Sequence, residues 1–160
     1  MEQRTGYLLI ADISGFTQFI KIHDVKKKPL VGPIVANYWE SHAEVLIKDL
    51  IEVIIAAFEL CTKLNKIEGD AVFFFLEDNR TDQQTDVILE HMEMARGAFN
   101  KRLTELTFVE SCPFDPCQQS KNLRLKIVVH HGTFHETNIR SFSELSGKDV
   151  ILVNRLLKNS

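Results

Sequence analysis

Gly6–Ile13 (GYLLIADI) is an apolar run that closes on a polar, glycine-containing turn, Asp12-Ile13-Ser14-Gly15-Phe16-Thr17. A run of this kind reads as a central strand buried on both faces, with a loop at its end. A second constraint lies further along: Phe73, Phe74 and Phe75 stand in succession within Ala71–Leu76. Three consecutive aromatic side chains fit a strand only if both of its faces are covered. A chain of 160 residues is long enough to supply that cover from a single domain spanning residues 1–160.

Between and after these strands the apolar spacing turns helical. From Ile34, the residues Val35, Tyr38/Trp39, His42, Val45/Leu46, Leu50, Val53/Ile54 and Ala57 predict a long amphipathic helix ending near Ala57, with Pro33 in its first turn. Phe58–Ile67 and Ala71–Leu76 then read as two strands around the turn Ile67-Glu68-Gly69-Asp70. A second helix carries Ile88, Met92, Ala95, Phe99, Leu103 and Leu106 along one stripe. Leu123–His131 alternates as a strand, and Val150–Leu157 reads as a final helix with Asp149 near its cap. The expected order is β-α-β-β-α-β-α. Hairpin-linked strands mixed with long helices predict an α+β fold, an antiparallel sheet with helices on one face.

Composition excludes several function classes. Nineteen Lys and Arg against 22 Asp and Glu leave a formal charge of −3, which argues against a protein held on nucleic acid by bulk charge. No apolar run approaches the length of a membrane span. Three cysteines without repeated spacing make no disulfide framework, so the cytoplasm is the expected compartment. No G-x-S-x-G elbow is present for a hydrolase triad.

Two carboxylates stand out by position. Asp12 ends the first strand and Asp70 sits in the turn between the next two. If those strands lie side by side, both carboxylates reach one sheet edge. Such a pair suits Mg²⁺, which takes one or two protein oxygens and completes its shell with water and phosphate. Backbone N–H groups around Gly15 would then cradle a triphosphate. Asp and Gly are also standard turn residues, and on spacing alone that plainer reading stays open.

Four segments carry a family resemblance. YLLIADISGFT (Tyr7–Thr17) resembles the opening strand and D-I-x-G-F-T turn of class III nucleotidyl cyclase domains. Lys66-Ile67-Glu68-Gly69-Asp70-Ala71 resembles their K-x-x-G-D-x hairpin, Leu123–Thr133 their glycine-ended strand, and Gly147–Val150 with Arg155-Leu156 their final motif helix. The match is closest to a bacterial branch catalogued as a domain of unknown function.

The resemblance implies a ferredoxin-like sheet and two Mg²⁺ or Mn²⁺ ions held by Asp12, Asp70 and the Ile13 carbonyl. It implies phosphates against the backbone of Gly15, Phe16 and Thr17, and a base read by Lys66 and Glu144, an adenine-type pair that favours ATP over GTP. Arg155 would stabilise the phosphoryl-transfer transition state. It further implies a head-to-tail homodimer in which the aspartates of one subunit meet Lys66, Glu144 and Arg155 of the other. Two departures accompany it. The family's asparagine falls at Ile151, because a register using Asn154 would put Lys158 at the arginine position and break the Gly147–Val150 match. The family's C-terminal strands, with a phosphate-gripping lysine, are expected to be missing after Ser160. The departures leave a second reading: a cyclase-fold regulatory or dimerisation module that has lost the reaction.

The remaining candidates are weaker. Cys112 and Cys117, spaced C-x₄-C, lack a regular second pair for zinc among His130, His131 and His135. His130 and His131, adjacent on a strand, must point to opposite faces. Lys26–Lys28 reads as a solvated loop, and Trp39 and His42 as core or dimer packing.

Overall fold

The computed structural model describes residues 3–23, 33–79, 81, 83–109 and 119–159. The first apolar run forms β1 (Gln3–Ser14), followed by a short helix α1 (Phe16–His23) and the long helix α2 (Pro33–Phe58). A hairpin, β2 (Lys63–Glu68) and β3 (Ala71–Glu77), leads to α3 (Gln83–Val109). A 3-10 turn at Gln119–Asn122 precedes β4 (Arg124–Ile139), β5 (Phe142–Ser146) and the helix α4 (Lys148–Asn159). The strands form one antiparallel sheet in the order β2-β3-β1-β4-β5, with β1 at its centre. The α+β class and the antiparallel sheet are as expected.

The alternation of β1 divides the core in two. Leu9, Ala11 and Ile13 face a layer made of α1, α2 and α3, where Leu50, Ile54, Phe58, Phe74, Phe99 and Leu123 are fully buried. Leu8 and Ile10 face the other way, onto Phe73, Phe75, Phe134, Leu145 and the α4 residues Val150 and Val153. The helices therefore do not all lie on one face. The apolar residues of α4 need cover, and the free side of the phenylalanine run supplies it. Phe73, Phe74 and Phe75 are buried accordingly on alternate faces.

Three further elements differ from the expectation. The turn after β1 is not a loop beyond Gly15 but the start of α1, because Phe16, Phe19 and Ile20 fall at helical spacing and pack onto the core. Gly15 makes the corner at φ 93°, a backbone conformation that a side chain would strain. The stretch from Phe58 to Thr62 is the end of α2 and a turn, with the strand starting only at Lys63. β4 runs on past His131 to Ile139 and turns at Arg140 (φ 59°) into β5, a hairpin whose polar residues gave no strand signal.

Candidate functional site

Asp12 lies on β1 with the parity of Leu8 and Ile10, so its side chain emerges on the α4 side of the sheet. Its register partners are Ala71 on β3 and Lys126 on β4. The β2–β3 turn is tied to the same place, since the Ile13 N–H donates to the Asp70 carbonyl at 3.2 Å. The two aspartates therefore meet. They line a cavity of about 230 Å³ together with Ile10, Lys66, Glu68, Ala71, Phe73, Asn154, Leu157 and Lys158.

Both carboxylates of this cavity are shifted by their surroundings. Burial, then the charge of Asp70, push the Asp12 carboxyl above the usual carboxylate range, and Lys126 partly offsets this. Burial likewise raises Asp70, against a backbone hydrogen bond that lowers it. Two half-buried carboxylates that disfavour their own ionisation are relieved by a nearby positive ion. Among the described residues no group of three or more His, Cys, Asp or Glu side chains is arranged around a metal position. The donor set thus fits an ion that takes few protein oxygens and keeps water or phosphate, as Mg²⁺ and Mn²⁺ do, rather than a closed protein cage.

Lys66 projects from edge strand β2 into the same cavity and is held by Glu68 at 3.0 Å and Glu144 at 3.1 Å. Its pKa is raised, mainly by the Glu68 hydrogen bond. β2 and β5 lie at opposite edges of the sheet, yet the β4–β5 hairpin curls back far enough to join them. Asn65 Nδ2 donates to the Ser143 carbonyl at 3.1 Å beside the Lys66–Glu144 pair. The two expected base-reading residues are thus brought together within one chain.

Gly15 and Thr17 are exposed at the start of α1. The Phe19 N–H already bonds the Gly15 carbonyl, which leaves the first-turn N–H groups of Phe16 and Thr17 without an intrahelical acceptor. The Phe16 side chain turns away, into a separate apolar cavity of about 330 Å³ with Ile20, Ile47, Ile51 and Ile67.

On α4, Val150, Val153 and Leu157 pack against the sheet, which directs Asn154 and Lys158 toward the aspartates. Arg155 is exposed on a neighbouring depression that Ile151, Asn154 and Lys158 also line, and Ile151 faces outward at 55% exposure. Asn154 and Lys158, the register disfavoured by the motif match, line both depressions. Their i, i+4 spacing beside a buried stripe was the signal available. Glu68 and Lys126, also at the site, gave none.

Asp149 does not serve as a simple cap. Its carboxylate accepts the Thr133 N–H at 2.8 Å and the Thr133 hydroxyl at 3.1 Å, tying the start of α4 to β4. His130 Nε2 lies 3.2 Å from its other oxygen, near enough for an ion pair but poorly aligned for a hydrogen bond. Thr133, then His130, hold the Asp149 carboxyl below the usual range. Only a glycine fits at 132, where a Cβ would stand 2.6 Å from the Asp149 carboxyl carbon. His131 points to the opposite face, against Tyr7 and Asp78. Cys112, Cys117 and Lys26–Lys28, and the side chains of Trp39 and His42, lie outside the described residues. No helix among the described residues is long and apolar enough to cross a membrane.

The fold is shared with solved structures. The structure matches the adenylyl cyclase CyaB from P. aeruginosa at a TM-score of 0.68, with 15% identity, over 99% of this chain and 74% of that one. It matches a class III adenylyl cyclase-like ATP-binding protein from Pseudomonas aeruginosa at 0.66, with 18% identity, over 99% of this chain and 32% of that one. The chain has the class III cyclase fold. Within that class, residues 47–160 match DUF2652, a family described as a protein of unknown function, and the chain belongs to that family. The uncharacterized protein Rv2561/Rv2562 of Mycobacterium tuberculosis is 36% identical over 97 residues, 61% of this chain. That alignment spans 44% of the relative's length.

Proposed function

We propose that this chain binds a divalent metal–nucleoside triphosphate at Asp12 and Asp70, ATP in preference to GTP, and acts as a nucleotidyl-cyclase-like domain. The observation that carries the reading is the convergence of Asp12 and Asp70 on one polar cavity. Mg²⁺ or Mn²⁺, when bound, would supply the charge that draws phosphate oxygens to two half-buried carboxylates. Asp12, Asp70 and the Ile13 carbonyl would hold the ions, and the Gly15, Phe16 and Thr17 amides would face the phosphates. Lys66 and Glu144, paired at 3.1 Å, would exchange that contact for the edge of an adenine held at the aspartates of a second copy. Arg155, exposed on the outer side of α4, is free to reach the site of a second copy in a head-to-tail homodimer and stabilise charge on the transferring phosphoryl group. The reaction would be attack of the ribose 3′-oxygen on the α-phosphate with release of pyrophosphate.

A calorimetric titration with Mn²⁺–ATP beside Mn²⁺–GTP tests the binding claim. Saturable binding with ATP ahead is expected, and Asp12→Asn or Asp70→Asn should abolish it while the folded signal persists. Unchanged affinity in both variants would remove the metal site. Cyclic product formed per protomer should rise with protein concentration, and a fully active monomer would contradict the dimer. A second reading, a module that binds nucleotide without turnover, is favoured by Ile151. This residue takes the place of the family's asparagine, and its outward side chain can donate no hydrogen bond. Binding without cyclic product would select it.

A further inference from the structure

Strand β2 does not keep a plain alternation. Its register against β3 runs Lys63↔Phe75 and Leu64↔Phe74, then Lys66↔Phe73, with Asn65 as the extra residue of a bulge. In an unbulged strand Lys63 and Lys66, three residues apart, would point to opposite faces. Here both lie on the α4 side: Lys63 sits over the Phe75 ring at 5.7 Å, and Lys66 lines the aspartate cavity. The bulge also lets two successive residues reach one strand, β5, which alternation would forbid. Asn65 Nδ2 donates to the Ser143 carbonyl and Lys66 Nζ to the Glu144 carboxylate, each at 3.1 Å.

Local stability does not account for this asparagine. Its Oδ1 is buried without a hydrogen-bond partner among the described residues, which offsets what the single donated bond contributes. Ser143 is also held from a second side. Its hydroxyl donates to Glu136 at 2.6 Å, and Arg4 bonds both Glu136 and Glu77. Those contacts tie the β4–β5 hairpin to β1 and β3, and Asn65 ties it to the edge strand β2. The residue after Ser143 is Glu144, and the residue after Asn65 is Lys66. We infer that Asn65 is a positioning residue: its amide fixes β5 against β2 and so sets how well the Lys66–Glu144 pair tells adenine from guanine. This rests on the base-reading role given to that pair above and adds the residue that holds the pair in place. Asn65 does not line the aspartate cavity and acts only through its two neighbours.

Two measurements on the full chain test this, one of them without nucleotide. A water-soluble carbodiimide joins a lysine to a carboxylate in contact with it, and Lys66 has two such partners, Glu68 at 3.0 Å and Glu144 at 3.1 Å. Glu68 lies on β2 itself, so the Lys66–Glu68 product is an internal reference that does not depend on β5. Asn65→Ala is expected to lower the yield of Lys66–Glu144 relative to Lys66–Glu68 roughly fivefold, the scale of one neutral hydrogen bond. Asn65→Gln keeps the amide donor and is expected to restore most of that ratio. In titrations, Asn65→Ala should narrow the preference for Mn²⁺–ATP over Mn²⁺–GTP by a similar factor and leave the affinity for Mn²⁺ alone unchanged.

A merely structural asparagine gives a different pattern. Lower thermal stability in Asn65→Ala, with the wild-type cross-link ratio and the wild-type purine preference, would overturn the proposal. A reduced cross-link ratio with the purine preference intact would overturn the link from Asn65 to specificity. Absence of Mn²⁺–ATP and Mn²⁺–GTP binding by the wild type is a separate result. It would remove the base-reading role itself, and the specificity part of this inference with it, while the cross-link ratio would still decide whether Asn65 holds Glu144 against Lys66.

Discussion

The two faces of the sheet are made from the same strands and put to different use. Toward α1, α2 and α3 the alternate residues of β1 and β3 meet a continuous apolar layer in which Leu50, Ile54, Phe58, Phe74 and Phe99 have no exposed surface. Toward α4 the apolar cluster is smaller, and its edge gives way to Asp12, Asp70, Lys66 and Lys158 around a cavity. Close packing on one side can carry the fold while the other side keeps buried charge and empty space, both of which cost stability. The lesson is a division of labour by strand parity. One residue of slip in β1 would exchange Asp12 with Ile13 and bury a carboxylate in the large core.

Truncating a phenylalanine on each face tests that division most strongly. Phe99→Ala, in the three-helix layer, should cost about 3–5 kcal/mol by denaturant unfolding. Phe134 is equally buried but sits in the smaller cluster beside a hairpin that can relax, so Phe134→Ala should fall at or below the low end, about 3 kcal/mol. Equal losses would mean that both faces are packed alike.

Removing charge from the polar face should act in the opposite sense. Asp12 and Asp70 have pKa values raised by burial, so the folded state binds their protons more tightly than the unfolded state does. Stability without metal is therefore lost as pH rises from 3.8, the ordinary carboxylate value, through the raised values. Asp12→Asn should raise the melting temperature of the metal-free protein at neutral pH and cancel any stabilisation by Mn²⁺. A lower melting temperature in that variant would sink the account of a strained carboxylate pair.

The smallest effect is expected where α4 is tied to β4. Asp149 is held below the usual carboxylate range by the Thr133 N–H and by His130, so its contribution is complete above pH 3.8 and is lost as pH falls through the depressed value. Asp149→Ala should lower thermal stability at neutral pH, speed amide exchange in α4 ahead of α3, and differ little from wild type in strong acid. A gap that persists unchanged in acid would assign the loss to packing. Gly132→Ala, which drives a methyl group into Asp149, should reproduce the neutral-pH loss.

Elements with strong periodicity were legible in the sequence. The stripe Ile88, Ala95, Phe99, Leu103 lies buried on α3, and Leu125, Ile127 and Val129 share one side of β4, because burial is what spaced those residues. Asp12 and Asp70 were legible for a different reason: each interrupts or follows an apolar run at a turn, where a charge must have a use or reach water. β5 was not legible. Its pattern, Phe142-Ser143-Glu144-Leu145-Ser146, buries only Leu145, and its pairing is dictated by the hairpin that precedes it. The start of α1 was obscured by Ser14 and Gly15, which signal a loop although Phe16, Phe19 and Ile20 follow at helical spacing.

By itself the sequence determined the central strand, the covered hairpin and the two long helices. It also placed a carboxylate at each of two turns. Those features depend on residues near one another in the chain, through period, capping and turn chemistry. Tertiary structure decided which side of the sheet α4 covers, that Lys66 meets Glu144 from opposite edges, and that Asn154 and Lys158 face the aspartates while Arg155 faces out. Each of those depends on how a helix is rotated or a hairpin curled against surfaces distant in the chain. Local periodicity specifies that an apolar stripe must be covered, whereas only packing specifies by what.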